Sequence, residues 1–470
     1  MRTRKPGRTR RHLIVLALLF IAGVATVLAI VVLASRRDTA ALQEARARSA
    51  ESVAHYERQF TSEPEAPPAP KTTAREIAGG TRPETALRSP ELFKRLTPLI
   101  TVLRRQPYFM AAEDITMERK PREWTDDDLR VLTALLSKHT DLLDAIRALA
   151  EQGEPVYRVD LSKGYAVDVP HLAQLRHMAA LLEMEAGVRA RQGDSEGALT
   201  NYRAIIALGE PLVDEPILIS QLVRLALCGM VYEGTGTALE PGQLTPEEAR
   251  EVVREAAGLY HREAFANALA GETAFGLQAI DDAAESGDVP FTRGAYNDPA
   301  VDVLAGYLYQ SPVGGVLLSG DKQTYSEYMN RIVRAAGQPY YEVQDELEAI
   351  EAELGDLSFL DLYSRNLIPS LTGAQLAQAR VEARLDLLRI GLSLDVYYDE
   401  HGAYPDSLDA LTADLGGEVP VDPFTGQAYV YIPKGDTFLL YSLGRNQQDD
   451  GGLHNYLEGD IVWRGIEEGE

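Results

Sequence analysis

A long apolar run near the amino terminus constrains this chain more than any other feature. Leu13–Ala34 contains 22 residues without a charge, and residues 1–11 before it hold six basic side chains and no acid. At about 1.5 Å per residue, a helix over this run reaches roughly 33 Å, enough to cross a hydrocarbon core of about 30 Å. The basic residues favour retention of the amino terminus in the cytoplasm. The sequence therefore predicts a single-pass anchor in the cytoplasmic (inner) membrane, with the body after residue 37 outside the cytoplasm.

A cleavable signal peptide is the alternative interpretation of the same run. The peptide Val32-Leu33-Ala34 offers residues of the kind that a signal peptidase accepts. The apolar core of a cleavable signal is usually about 7–15 residues long, however. The 22 residues found here favour an anchor that stays in the lipid.

The charge of the body argues against a nucleic-acid partner. Residues 1–37 hold eight of the 46 basic groups and none of the 71 acids, so the remainder has 38 basic against 71 acidic groups and a net charge of −33. A surface that acidic repels a phosphate backbone. The single cysteine, Cys228, lies in an apolar stretch, so an internal disulfide is excluded and the residue is expected to be a small buried hydrophobe.

Composition divides the chain into segments of different character. The residues after the anchor are rich in Ala, Glu, Arg and Gln, which predicts a helical stalk, and the next segment is rich in Pro, Gly, Ser and Thr, which predicts a flexible linker. Apolar residues then recur at helical spacing, as in Leu129, Leu132, Leu136 and Leu143, and Thr245-Pro246-Glu247-Glu248 is a helix start signal, with a threonine cap and proline at the first helical position. We therefore expect a mainly α fold with five segments: a basic tip and transmembrane anchor at 1–37, a stalk at 38–60, a linker at 61–87, a multi-helix extracytoplasmic domain at 88–370, and a long helix with a small α+β module at 371–470.

Two further elements are predicted inside these segments. The alternating residues of 156–169, around Lys163-Gly164, are typical of a small β-hairpin. Two apolar stripes from about Thr372 to Glu400 predict a long helix with a broad apolar face. We expect His401-Gly402 to end it, because glycine readily adopts the left-handed conformation that closes helices. Such a helix needs cover on two sides, one of them supplied by the C-terminal module.

The C-terminal segment contains an ordered series of short motifs. Two β-rich runs, 429–432 and 437–442, flank a turn composition and predict a hairpin. The other motifs, in order along the chain, are Tyr404-Pro405-Asp406-Ser407-Leu408, Val421-Asp422-Pro423-Phe424-Thr425-Gly426 and Asp449-Asp450-Gly451-Gly452.

This order of motifs resembles the globular domain of the major pseudopilin of type II secretion, over about residues 380–463. The resemblance implies a hairpin packed on the C-terminal part of the long helix. It also implies that a calcium ion stabilises the module and that the module has no catalytic residue of its own. The leader, processing site and early glutamate of pseudopilins are missing from residues 1–37. That difference favours a module of this kind on an otherwise unrelated anchored protein.

The resemblance implies a set of calcium ligands after the hairpin. It places ligation on the carbonyl of Leu443, on Asn446 and on Asp460, with Asp449 or Asp450 as additional ligands. Hard cations such as Ca²⁺ prefer six to eight oxygens from carboxylates, amides and main-chain carbonyls, and this loop contains those groups. In this family an acid usually stands at the position of Asn446. The alternative is a solvated acidic loop with no ion.

No motif for catalysis is found elsewhere. The helix that contains His261 has Phe265 where a zinc-protease helix needs its second histidine, and the chain has neither a nucleophile elbow nor a phosphate-binding loop. We therefore predict no catalytic residue and no cofactor other than the ion. The expected function is a non-enzymatic, membrane-anchored scaffold with an unidentified protein partner among envelope or secretion components. The alternative is an extracytoplasmic hydrolase in the helical domain, which predicts a deep pocket lined by acids with raised pKa values.

Overall fold

The computed structural model describes residues 88–286, 306–358, 360–453 and 459–464, with scattered positions between 43 and 54. The predicted anchor Leu13–Ala34 and the linker 61–87 lie outside the described residues. Within the part that is described, none of the helices combines the length and the apolar character needed to cross a membrane.

The described residues are mainly helical, which confirms the expected fold class at that level. Thr245 begins one helix as the sequence indicates: its side chain accepts a hydrogen bond from the Glu248 amide, and Pro246 occupies the first turn. The helices are α1 (Ser89–Arg104), α2 (Pro107–Glu118), α3 (Asp126–Leu136), α4 (Thr140–Gln152), α5 (Pro170–Arg191), α6 (Ser195–Gly209), α7 (Leu218–Ala238), α8 (Pro246–Ala257), α9 (Arg262–Ser286), α10 (Gly314–Ala336), α11 (Tyr340–Gly355) and α12 (Leu362–His401).

Helix α12 is the structural centre of the body. Its 40 residues span about 60 Å. It packs against α7, α8, α10 and α11, and against the strands of the C-terminal module. The prediction that other elements cover this helix on two sides is therefore confirmed. Gly402 ends the helix in the left-handed conformation, with φ of 70°, as expected.

The predicted start of α12 at Thr372 was ten residues too late. The helix begins at Leu362 and continues through Pro369. Its first turn is stabilised by Asp321 of α10, whose carboxylate accepts hydrogen bonds from the amides of Tyr363 (2.6 Å) and Ser364 (3.1 Å). A carboxylate from a distant helix thus satisfies amide donors that a helix start leaves open.

The predicted hairpin at 156–169 is wrong, because this segment forms a short 3₁₀ helix, Leu161–Ala166, with no strand. Its apolar residues Val159 and Leu161 are buried against Ile217 and Phe275. The alternating pattern therefore reflects a loop whose apolar side chains pack against Phe275 of α9 and against Ile217, the residue before α7, and not a pair of strands. Gly164 provides the turn, with φ of 52°.

The C-terminal module contains a three-stranded antiparallel sheet in the order β1-β2-β3. β1 (Val430–Pro433) and β2 (Phe438–Ser442) form the predicted hairpin. Gly435 allows the turn through its φ of 69°. The short third strand, β3 (Ile461–Val462), had no signal in the sequence analysis; it pairs with the end of β2.

One hydrophobic core joins the module to the helices. It extends from Leu92 in α1, through α5, α6, α7, α8 and α12, to Phe424, Leu440 and Trp463 in the module. A second core lies among α7, α9, α10, α11 and the first half of α12. Because α7 and α12 contribute to both, the described helices and the module form one packed body.

Candidate functional site

The loop that was predicted to bind calcium lies between β2 and β3. Ser442 at the end of β2 pairs with Ile461 at the start of β3, so the loop begins at Leu443 and ends at Asp460. The buried side chain of Asp422 fixes the beginning of the loop: one carboxylate oxygen accepts from the Phe424 amide (2.9 Å) and the other from the Leu443 amide (3.0 Å). Asp422 therefore connects the Asp-Pro-Phe motif to the start of the loop.

The structure brings all five predicted ligand residues into this loop. Asn446 donates from its side-chain amide to Asp450 (3.0 Å), and the Asp449 carboxylate accepts from the hydroxyl of Tyr441 (2.7 Å) and from the amide of Gly451 (2.9 Å). The amide of Gly452 donates to Asp460 at 2.8 Å. These bonds fold residues 443–452 back towards the buried Asp460.

The electrostatics of the loop centre on Asp460, which is fully buried. Burial is the main cause that raises the pKa of Asp460 to about 6; the carboxylates of Asp450 and Asp449 contribute to this rise, and amide hydrogen bonds oppose it. A hard cation would neutralise such a group of like charges. The donor types thus fit Ca²⁺. As arranged in the described part of the chain, no three His, Cys, Asp or Glu side chains converge closely enough to hold a metal ion.

A buried polar network at the junction of module and helices was missed by the sequence analysis. Asp386 of α12 accepts hydrogen bonds from the hydroxyls of Tyr260 (2.5 Å) and Tyr429 (2.9 Å), and lies 3.3 Å from the guanidinium of Arg389. Arg389 also donates to the carbonyl of Leu415 at 2.9 Å. Burial raises the pKa of Asp386 to about 6, against the effect of the two tyrosines and Arg389. One carboxylate thus joins α12, the α8–α9 loop and the module.

The end of the module is held between α7 and α12. The ring of Trp463 lies over Gly391 of α12, where an added Cβ atom would be only 2.7 Å from its Cδ1 atom, and it also faces Gly236 of α7. The Tyr232 hydroxyl donates to the carbonyl of Val462 at 3.0 Å, and Arg464 pairs with Asp395 at 2.8 Å. These contacts fix the orientation of the β2–β3 loop relative to the helices.

The hydrolase alternative predicts acids with raised pKa values in a pocket. Burial raises the pKa of Glu183 to about 7, and the nearby carboxylate of Glu233 contributes. Lys120 lies 3.6 Å from Glu233. Neither acid is among the residues that line the apolar cavity between α6, α7, α8 and α12. The acid pair therefore does not line that cavity, although Glu183 lies close enough to Tyr202, one of the lining residues, to add to the rise that burial causes in the pKa of the tyrosine.

Comparison with known proteins does not add to this geometry. No family model, no curated protein and no solved structure matches the chain. A functional assignment therefore rests on the residues and contacts described above.

Proposed function

We propose that the chain is a non-enzymatic scaffold held in the cytoplasmic membrane by Leu13–Ala34, with its amino terminus in the cytoplasm and its body outside. The helical domain binds a protein partner among envelope or secretion components. A pseudopilin-like module, stabilised by calcium, forms its far end. The partner is a protein and not a nucleic acid, because the body after residue 37 has a net charge of −33.

The observation that carries this proposal is the single core shared by the helices and the module. The side chains of Asp386, Trp463 and Arg464 connect the two parts through buried contacts, and Arg250 of α8 adds ion pairs to Glu400 (2.6 Å) and Asp414 (2.7 Å). A module that hung on a flexible tether would need no such contacts. A rigid body with a fixed end is what a scaffold requires to hold its partner in one orientation.

The first two helices support a membrane-proximal position for the start of the body. Residues 88–122 hold eight basic and four acidic side chains, a net charge of +4 in an acidic chain. α1 and α2 also expose large apolar side chains, with exposed fractions of 60% for Val102, 55% for Met110 and 83% for Met117. Basic and apolar side chains together favour contact with an anionic lipid surface. These helices directly follow the predicted linker to the anchor.

The topology can be tested with a single introduced cysteine. Cys228 is buried, so the native chain gives little background with a thiol reagent. We expect Asp436→Cys, in the exposed β1–β2 turn, to react with a membrane-impermeant maleimide in intact spheroplasts. The matched control Thr3→Cys should react only after permeabilisation. Labelling of Thr3→Cys but not of Asp436→Cys in intact spheroplasts would overturn the proposed orientation.

The calcium part of the proposal has its own test. Ca²⁺ that binds only the folded state at a hundredfold excess over its Kd stabilises by about 2.7 kcal/mol, so Tm of the full-length protein should rise relative to EDTA. Asp460→Asn should remove this rise, because the buried carboxylate is lost. Asp436→Asn, in the exposed turn, should keep it. An unchanged Tm of the wild-type protein in calcium would contradict the ion assignment.

A further inference from the structure

Helix α1 has two stripes of side chains with the same spacing, one facing the core and one facing away from it. The inner stripe packs towards α4 and α5 and consists of Leu92, Leu96, Ile100 and Leu103. The outer stripe is exposed and consists of Lys94, Pro98, Val102 and Arg105. Both follow a spacing of four, four and three residues, so each keeps to one side of the helix. The side of α1 turned away from the core thus presents an apolar centre between two basic ends.

The same surface continues into the start of α2, where Tyr108 and Met110 are exposed. Residues 88–110 contain three exposed basic side chains, whereas the one acid among these residues, Glu91, is partly buried. The exposed acids of α2 begin only at Asp114. We therefore define the α1 face as the exposed side chains of residues 88–110, a surface on which basic and apolar groups stand together and no acid is exposed.

The charge of the α1 face and its position in the chain favour an anionic lipid surface as its partner. Residues 88–110 contain five basic groups and one acid, a net charge of +4, in a body whose net charge after residue 37 is −33. Basic side chains beside exposed apolar ones are typical of helices that lie in the interface of an anionic membrane. The predicted anchor precedes α1 in the same chain, so the chain itself supplies such a surface.

The predicted linker is long enough to bring the α1 face to the membrane. A flexible chain of its 27 residues, 61–87, spans about 26–31 Å on average, and prolines lengthen it. The predicted stalk, 38–60, would rise by about 35 Å as a helix. Because the two lengths are similar, the linker can return α1 to the surface from which the stalk rises. Such a tether gives an effective concentration in the millimolar range, so a face of weak intrinsic affinity is occupied in the anchored chain.

We propose that the α1 face binds the headgroup layer of an anionic bilayer, in the same membrane that holds the anchor. Lys94 and Arg105 contact lipid phosphates, and Val102 lies at the boundary with the acyl chains. This inference deepens the proposed function and rests on its anchor: α1 lies along the membrane surface and holds the body in one orientation there. Each basic side chain near such a surface strengthens the contact about fivefold, so the contact requires anionic lipid and weakens in salt.

An environment-sensitive fluorophore on Val102→Cys, in the full-length chain in lipid nanodiscs, tests the contact. Cys228 is buried and adds little background. We expect the emission to shift to shorter wavelength in nanodiscs that contain anionic lipid, and the shift to disappear in zwitterionic nanodiscs and in about 0.5 M salt. The same label on Asp436→Cys, in the exposed β1–β2 turn, should show no shift. A Val102→Cys label that stays in water with anionic lipid overturns the proposal; so does one shielded in every lipid, because the chain itself or a second copy would then cover the face.

Charge reversal on the α1 face identifies the groups that make the contact. Lys94→Glu with Arg105→Glu should abolish the shift and leave the circular dichroism spectrum unchanged, because both side chains are exposed. Arg254→Glu with Lys434→Glu changes the net charge equally at exposed positions elsewhere and should keep the shift. Equal shifts in the two double variants would refute the site. Co-elution of the chain with the nanodiscs tests the anchor separately: a chain that co-elutes without a shift refutes this inference alone, whereas a chain that does not co-elute refutes the anchor on which it rests.

Discussion

Replacement of Gly391 by leucine is expected to destabilise the whole body by at least about 3 kcal/mol, the upper range for overpacking of a core. The Cβ atom would enter the space of the Trp463 ring, which is 4% exposed. The ring also packs against Tyr232 of α7, with 5.7 Å between the ring centroids, so a shift of the tryptophan would disturb this contact as well. Because the native state of a domain is favoured by only about 5–15 kcal/mol, much of the stability would be lost. Urea denaturation followed by circular dichroism measures the change.

Gly373 provides the matched control in the same helix. It is exposed, and an added Cβ atom would have no neighbour within 4 Å. Leucine favours a helix over glycine by up to about 1 kcal/mol, so Gly373→Leu should leave stability unchanged or raise it. Equal effects of Gly373→Leu and Gly391→Leu would mean that Trp463 does not pack on α12 as described.

Asp386→Ala is expected to cost about 3–5 kcal/mol, because it removes one partner from a buried charged network. The variant leaves the hydroxyls of Tyr260 and Tyr429 without this acceptor, and it leaves the Arg389 guanidinium with the Leu415 carbonyl but without its carboxylate partner. Tyr429→Phe removes one hydroxyl and leaves the carboxylate, so its cost should be about 1 kcal/mol. Urea denaturation of both variants gives the comparison; a cost for Asp386→Ala no larger than that of Tyr429→Phe would contradict the network.

The pH dependence of the same site has a definite sign. The native pKa of Asp386 is raised to about 6 from its usual 3.8, so the folded protein holds this proton more tightly than the unfolded chain. The wild type should therefore gain stability relative to Asp386→Asn as the pH falls from 7 to 4. The difference in unfolding free energy between the two proteins at each pH is free of the contributions of the titrating groups that they share. A relative loss of wild-type stability on acidification would mean that Arg389 dominates and that the native pKa is lowered.

The sequence predicts those parts of the fold that depend on nearby residues. Thr245 with Pro246 begins α8, Gly402 ends α12, and the two β-rich runs form a hairpin, because each signal acts within a few residues. The five predicted ligand residues also share one loop, since they follow the same hairpin. The interpretation of 156–169 was wrong because an alternating pattern shows only which side chains are buried and not what buries them. Here Val159 and Leu161 are buried by Ile217 and Phe275, which lie far away in the chain.

The features that could not be predicted from the sequence all depend on contacts between residues that lie far apart in the chain. Asp386 meets Tyr260 and Tyr429, Asp321 caps the start of α12, and Trp463 meets Gly391. A glycine in a helical pattern gives no indication of which ring covers it. The apolar cavity is formed by residues of four helices, so no single segment of the sequence indicates it.

The helices and the module form one rigid body, and the two tryptophans of the chain provide a direct test of this. Trp124 packs against Gly187 of α5 in the helical part, and Trp463 follows β3 in the module. In a Trp124→Phe variant, the fluorescence of Trp463 reports the module while circular dichroism reports the helices. We expect both signals to show the same midpoint in urea. A fluorescence transition completed at a lower urea concentration than the loss of helix would show that the module unfolds by itself and would contradict the claim.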